Sequence, residues 1–196
     1  ELIAANIPID VIVGCSAGGI VGALYSDTLD IEYVKHVLLP CDSSHFVDFS
    51  IFSMEPGLAK GQALKDYLTS NLHSRYFHEL NIPLFVTATD LTTGEIIPLC
   101  GGPLLPALYA SSCIPVVFPP IALHGRLLVD GGVADPIPVQ IAKNLNPDII
   151  IAVSLYGTIE MKNPQNVWEI AERSTEIMMY WQNHSFTKGA DIVIRP

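Results

Sequence analysis

Short apolar runs and helix-spaced apolar residues take turns along this chain. Ile9-Asp10-Val11-Ile12-Val13 is apolar but for one acid and predicts a strand; Ala17 to Tyr25 follows directly with the small and apolar residues of a helix. A second helix is predicted from Ile31 to Leu39, stopping before Pro40. Ala63, Leu64, Tyr67, Leu68 and Leu72 recur at the spacing of a third. Pro83 to Leu91 predicts a strand, and Thr92-Thr93-Gly94 turns it back into a hairpin partner from Glu95 to Leu99. Leu104 to Ser112 is helical in pattern. Leu127-Leu128-Val129 predicts a strand that ends at Asp130-Gly131-Gly132. Ile149 to Leu155 has the unbroken apolar character of a buried parallel strand. Val167, Ile170, Ala171, Ile177, Met178 and Trp181 line one face of a long helix, where they and Trp168 are expected to pack, and Ile192 to Ile194 predicts a last strand. Strands alternating with helices place the chain in the α/β class: a three-layer α/β/α sandwich with a mainly parallel central sheet. No shift in composition marks a second domain, so one domain over residues 1–196 is expected.

Composition narrows the function. Of 196 residues, 49% are hydrophobic and 15% charged, which excludes a disordered chain. Ten Lys and Arg stand against twenty Asp and Glu, a net charge of -10. Such a chain repels phosphate backbones, so no nucleic-acid partner is expected, and it carries no polybasic membrane anchor. The longest apolar run, Val11 to Tyr25, is interrupted by Ser16 and four glycines and is shorter than the ~20 residues of a transmembrane helix. Cys15, Cys41, Cys100 and Cys113 form no C-x-x-C pair and read as reduced thiols of the core. With no export signal at its start, the chain is expected to be cytoplasmic, in peripheral contact with membranes at most.

The candidate chemistry begins at Gly14-Cys15-Ser16-Ala17-Gly18, a G-x-S-x-G pattern. An apolar strand runs into it and a small-residue helix runs out, the context of a nucleophile elbow. In such an elbow the turn is sharp enough to strain the serine backbone. Gly14 and Gly18 are expected to remove the collisions it would cause, while Gly18 and Gly22 let the helix lie close on its sheet. The free N–H groups and positive dipole end of that helix suit a developing oxyanion, and Ala17 N–H is the first donor expected. A phosphate-binding loop would need Gly-Lys-Ser/Thr and a dinucleotide site G-x-G-x-x-G; neither is present.

A serine hydroxyl needs a base. The six histidines are His36, His45, His73, His78, His124 and His184, and none follows a strand end in a catalytic-looking loop. Asp130 does close an apolar strand, and Gly131 and Gly132 after it permit a tight exit and the close approach of another backbone. Partial desolvation there would raise its pKa and strengthen it as a base. The competing reading is a turn aspartate bonded to its own following amides.

Four blocks in order then resemble the patatin-like phospholipases, the bacterial relatives of the patatin and neuropathy-target-esterase group. They are Ile7-Pro8-Ile9-Asp10 leading into Gly14 to Gly19; Thr87-Ala88-Thr89-Asp90-Leu91-Thr92-Thr93-Gly94; Ala110-Ser111-Ser112-Cys113-Ile114-Pro115 on to Phe118-Pro119-Pro120; and Asp130-Gly131-Gly132. The resemblance implies a serine–aspartate dyad with no catalytic histidine: Ser16 attacks an acyl carbonyl, Asp130 takes its proton, and water hydrolyses the acyl-enzyme. It implies acyl-ester lipids as substrates (phospholipids, lysophospholipids or neutral esters), a transient membrane or micelle surface as partner, and neither metal nor cofactor.

One departure stands out. The family's glycine-rich oxyanion loop precedes the elbow, and residues 1–13 hold no glycine. Either the loop lies in residues that precede this chain, as others are expected to follow it, or the protein lacks it. Losing an oxyanion donor costs about 2.7–4 kcal/mol of transition-state stabilisation. Two alternatives therefore stay open. One is a catalytically weak lipid-binding or interaction module on a patatin fold. The other is a histidine-dependent esterase with His184 or His124 as base. The segment from His45 to Met54, with Phe46, Phe49, Phe52 and Met54, is either an acyl-binding lid or a loop folded into the core.

Overall fold

Strand β1 (Ile12–Cys15) runs into helix α1 (Ala17–Thr28) with one residue, Ser16, between them. The computed structural model describes residues 2–40, 60–115, 117–155 and 161–196, without the side chains of Lys60, Trp168, Glu172, Met179, Gln182, Asn183 and His184. The segment from His45 to Met54 lies outside the described residues. Helix α1 ends at Leu29, whose positive φ of 55° breaks the helix. Asp30 then starts α2 (Ile31–Leu38) by accepting from the amides of Glu32 (2.9 Å) and Tyr33 (3.1 Å), two of the donors a helix start leaves unpaired. Further along come α3 (Lys60–Asn71), β2 (Leu84–Asp90), β3 (Ile96–Leu99), α4 (Leu104–Ser111), β4 (Ile121–Leu123) and β5 (Arg126–Asp130). All belong to one compact unit, Glu1–Ala134.

Five strands of that unit form one sheet in the order β1-β2-β5-β4, with β3 also on β2. The α/β class is as expected, but the sheet is mixed rather than mainly parallel. Only β1 and β2 are parallel; β2 pairs antiparallel with β3 and with β5, and β4 with β5. The cause is local. Two tight returns, Thr92-Thr93-Gly94 (Gly94 φ 77°) and His124-Gly125 (φ 50° and 74°), fold consecutive strands into hairpins, which are antiparallel by construction.

Leu24, Leu64, Leu68, Val86, Leu104, Leu108 and Leu128 make the core of this unit, all essentially unexposed. Helix α1 lies close on β1 and β2 because Gly22 has no side chain. A Cβ there would stand 2.8 Å from Ile12 Cγ2 and 3.1 Å from Leu84 Cδ1. Gly19, not Gly18, is the second close-packed glycine, with a would-be Cβ 3.1 Å from Val86 Cγ1.

The second unit, Asp135–Pro196, holds α5 (Val139–Lys143), β6 (Ile151–Val153), α6 (Val167–Phe186) and β7 (Ile192–Ile194). β6 and β7 pair in parallel around a small core of Ile137, Val139 and Ala152. The expected buried strand from Ile149 to Leu155 is mostly exposed: of its apolar side chains Ala152 is buried, whereas Ile149, Val153 and Leu155 face solvent. The apolar face of α6 is likewise open, with Val167, Ile170, Ile177 and Met178 exposed and Trp181 74% accessible.

Candidate active site

Ser16 holds φ 52° and ψ -120°, outside the left-handed well that non-glycine residues occasionally visit. A residue in such a conformation carries roughly 1–3 kcal/mol of strain and persists only where its surroundings over-determine it. Those surroundings are visible. Gly14 lies under the turn, where a Cβ would sit 2.5 Å from Gly18 O and 2.6 Å from Gly19 N. Ser16 N–H donates to Ser111 Oγ at 2.9 Å, and Ser16 C=O accepts from Gly19 N (2.9 Å) and Ile20 N (3.1 Å) as the first carbonyl of α1. Gly18 differs from expectation: a Cβ there would meet nothing within 4 Å. The space beside it is open. The amides of Ala17 and Gly18 have no acceptor among the described residues. They are the two free donors at the start of α1.

Asp130 arrives from the far end of the unit. Its strand β5 pairs with β2, Asp130 opposite Ala88, on the edge where β1 pairs Cys15 with the preceding residue Thr87; β3 takes the opposite edge, so the ends of β1 and β5 meet. Its backbone is tied down by Asp130 N–H to Cys113 O (2.9 Å) and by Thr89 Oγ1, which donates to Asp130 O at 3.0 Å. Thr89 Oγ1 also accepts from Ala134 N (3.2 Å), spanning the turn. Gly131 is obligatory here, since a Cβ would stand 2.4 Å from Thr87 O. Gly132 supplies the amide that bonds Asp130 Oδ1 at 2.7 Å. The turn-aspartate arrangement is therefore present, but it uses only one carboxylate oxygen. Cys15 Sγ donates to the same Oδ1 at 3.8 Å, whereas Oδ2 is buried and has no hydrogen-bond partner.

Burial raises the Asp130 pKa above the ordinary carboxyl range. The Ser16 hydroxyl, the Gly132 amide and the Cys15 thiol pull it part of the way back. The Ser16 hydroxyl thus favours the charged carboxylate, although no hydrogen bond of ordinary length and angle joins it to Oδ2. Loose contact of this kind is common in sites without substrate.

The sequence reading missed Ser111, Thr89 and Cys113 as supports. Ser111 and Cys113 are fully buried, and Thr89 is nearly so. Small buried polar residues at the end of a helix (Ser111) and along a central strand (Thr89) were the available signal. Among the described histidines, His73 Nδ1 pairs with Asp27 at 3.2 Å, His78 stacks with Tyr76, and His124 occupies the β4–β5 turn; none touches Ser16 or Asp130. Among the described residues no three His, Cys, Asp or Glu side chains are grouped to hold a metal ion. A cavity of about 300 Å³ lined by Leu68, Leu72, Tyr76, Pro103 and Leu105 includes neither Ser16 nor Asp130.

Residues 1–143 match the family model of the patatin-like phospholipases. The chain belongs to that family. It is 33% identical over 149 residues to an uncharacterised NTE family protein of Mycobacterium tuberculosis, covering 75% of this chain and 41% of that protein. It is 28% identical over 174 residues to a patatin-like phospholipase domain-containing protein of Caenorhabditis elegans, and 25% identical over 162 residues to patatin-like phospholipase domain-containing protein 6 of Homo sapiens. These matches cover 81% and 77% of this chain but 12% and 11% of the relatives. The patatin match takes in the elbow, β2, α4 and the Asp130 turn together. No helix among the described residues is long and apolar enough to cross a membrane.

Proposed function

We propose that this chain carries a serine acyl-hydrolase centre that cleaves acyl esters of lipids, with Ser16 as nucleophile and Asp130 as general base. The observation that carries the reading is the asymmetry of the Asp130 carboxylate. Oδ1 is held by Gly132 N–H and the Cys15 thiol, Oδ2 is buried and unpartnered, and the Ser16 hydroxyl favours the charged form of the carboxylate. A buried acceptor without a donor costs about 1–3 kcal/mol and is unexpected unless it has work to do. Taking the serine proton is that work.

Ser16 Oγ attacks the acyl carbonyl as its proton passes to Asp130 Oδ2. The oxyanion forms over the start of α1, where the free amides of Ala17 and Gly18 and the positive helix end stabilise it. Asp130 returns the proton to the departing alcohol. It then takes a proton from water as the water oxygen attacks the acyl-enzyme carbonyl, and passes that proton to Ser16 Oγ as the Oγ–acyl bond breaks and the carboxylic acid leaves. A carboxylate with a pKa raised by burial is a stronger base than an exposed one. The open space at Gly18 suits an acyl group. The patatin-like family match and the phospholipase names of the relatives support lipid esters as the substrate class and a membrane or micelle surface as the place of reaction. One catalytic domain is proposed across 1–196, of which residues 1–143, with both Ser16 and Asp130, match the family model; the dyad chemistry calls for no cofactor.

The test is Asp130→Asn in the full-length protein. The variant is expected to fold, and ester turnover should fall by about 10²–10⁴, the range for a positioned base. Wild-type turnover in Asp130→Asn would sink the dyad. Loss at a single histidine-to-alanine variant would transfer the base to that histidine, and lipid binding without any turnover would favour a non-catalytic module.

A further inference from the structure

An elbow held at positive φ by a serine needs something to stop it relaxing. Glycine clearance at Gly14 permits the strained turn but does not enforce it. The bonds from Gly19 N and Ile20 N to Ser16 O begin α1 and fix the carbonyl side of Ser16. On the amide side stands one hydroxyl, Ser111 Oγ, 2.9 Å from Ser16 N and 95 positions away in sequence. Ser111 is the last residue of α4, is fully buried and packs beside Gly19. Two residues further along, Cys113 O takes the amide of Asp130. One helix end therefore reaches the backbones of both members of the dyad.

We infer that Ser111 is a positioning residue for the Ser16–Asp130 reaction: its hydroxyl clamps the Ser16 amide and so holds Oγ in its attacking position. The inference rests on the dyad reading above. It has a second consequence. The nucleophile's own amide is occupied, so it gives nothing to the oxyanion, and Ala17 and Gly18 supply the donors within this chain. The neighbouring Ser112 supplies a built-in control. It is equally small and nearly as buried, but its Oγ has no partner.

The experiment compares the full-length wild type with Ser111→Ala, Ser111→Cys and Ser112→Ala. Two measurements are made: the second-order rate of Ser16 phosphonylation by a fluorophosphonate, and the exchange rate of the Ser16 amide. Ser111→Ala should slow phosphonylation about 10- to 100-fold, as expected for a slightly misplaced nucleophile. It should speed Ser16 amide exchange about tenfold, the loss of one ordinary hydrogen bond. On an ester substrate, kcat should fall with KM little changed. Ser111→Cys fills the same space with a weaker acceptor and should fall between. Ser112→Ala should label within about twofold of wild type, because it loses no bond. Wild-type labelling in Ser111→Ala, equal slowing in Ser112→Ala, or an unchanged Ser16 amide exchange rate would each overturn the clamp. If the wild type itself is not labelled at Ser16, the dyad reading fails, and amide exchange alone then decides whether Ser111 holds the elbow. Should Ser111→Ala not fold, Ser111→Cys carries the comparison.

Discussion

The thiol of Cys15 donates to Asp130 Oδ1 at 3.8 Å, joining the residue before the nucleophile to the candidate base. That contact favours the charged carboxylate and lowers a pKa that burial has raised. Cys15→Ala removes it, so the Asp130 pKa should climb further. The base must be deprotonated to act, so the acidic limb of kcat/KM against pH should move to higher pH. Cys15→Ser keeps a donor and should leave the limb near its wild-type position. An unmoved limb in Cys15→Ala would show that the thiol does not tune the base.

The same residue makes a prediction about stability. Asp130 has a folded-state pKa raised above its unfolded value, mainly by burial. The folded state therefore binds the proton more tightly, and this favourable contribution is complete below the unfolded pKa. It is lost as pH rises through the folded pKa, so holding an ionisable carboxyl in this buried place costs more stability at pH 7 than in acid. Asp130→Asn keeps an oxygen for Gly132 N–H and removes the charge. It should melt higher than wild type at pH 7, and the gain should vanish below about pH 4, where the unfolded aspartate is protonated. An inactive variant that is also more stable separates a catalytic from a structural carboxylate. Melting curves at the two pH values decide it.

Glycines of the elbow divide into two kinds. Gly14→Ala drives a methyl into the backbone at Gly18 and Gly19, which cannot yield without unmaking the start of α1. A loss of about 1–3 kcal/mol or more is expected, read as a lower urea midpoint. Gly18→Ala meets nothing and sits in the first turn of a helix, so it should be neutral or stabilising by up to about 1 kcal/mol.

This contrast shows what the sequence could and could not reveal. A strand, a sharp turn and a helix in succession are local, and Gly14 to Gly18 announced them. So did the return at Thr92-Thr93-Gly94. The direction of β5 against β2 is a pairing across some 40 positions, Asp130 opposite Ala88, and no local pattern encodes it. Periodicity in α6 marked an apolar face without saying what covers it. Ser16 and Asp130 stood out as candidates because a serine in a glycine elbow and a carboxylate at a strand end each carry a local pattern. Ser111 was not, since a serine holding an amide resembles any small residue that fills a core.

The cysteines should sort by environment. Burial pushes the Cys113 thiol up to about 12, and it shares a hydrogen bond with Tyr109, itself raised to about 12 by burial. Cys100 is exposed. A thiol-specific disulfide reagent at pH 8 should modify Cys100 in the native protein and Cys113 only after unfolding, because the thiolate is the reactive form. Rapid native modification of Cys113, mapped by mass spectrometry, would contradict its burial.

Trp181 offers the sharpest disagreement between pattern and structure. Its position on the apolar face of α6 calls for a core residue, and truncating a core tryptophan costs about 3–5 kcal/mol. In the structure it is 74% accessible and meets Tyr180 edge-on, with ring centres 5.5 Å apart. An exposed side chain with one aromatic neighbour contributes little, so Trp181→Ala should change stability by no more than about 0.5 kcal/mol. Leu108→Ala, at a site with no exposure, should lose about 2–5 kcal/mol in the same assay. In a Trp168→Phe background the remaining indole should be readily quenched by acrylamide. A large loss of stability in Trp181→Ala, with weak quenching, would mean that the apolar face of α6 is covered in the protein in solution, as its periodicity demands.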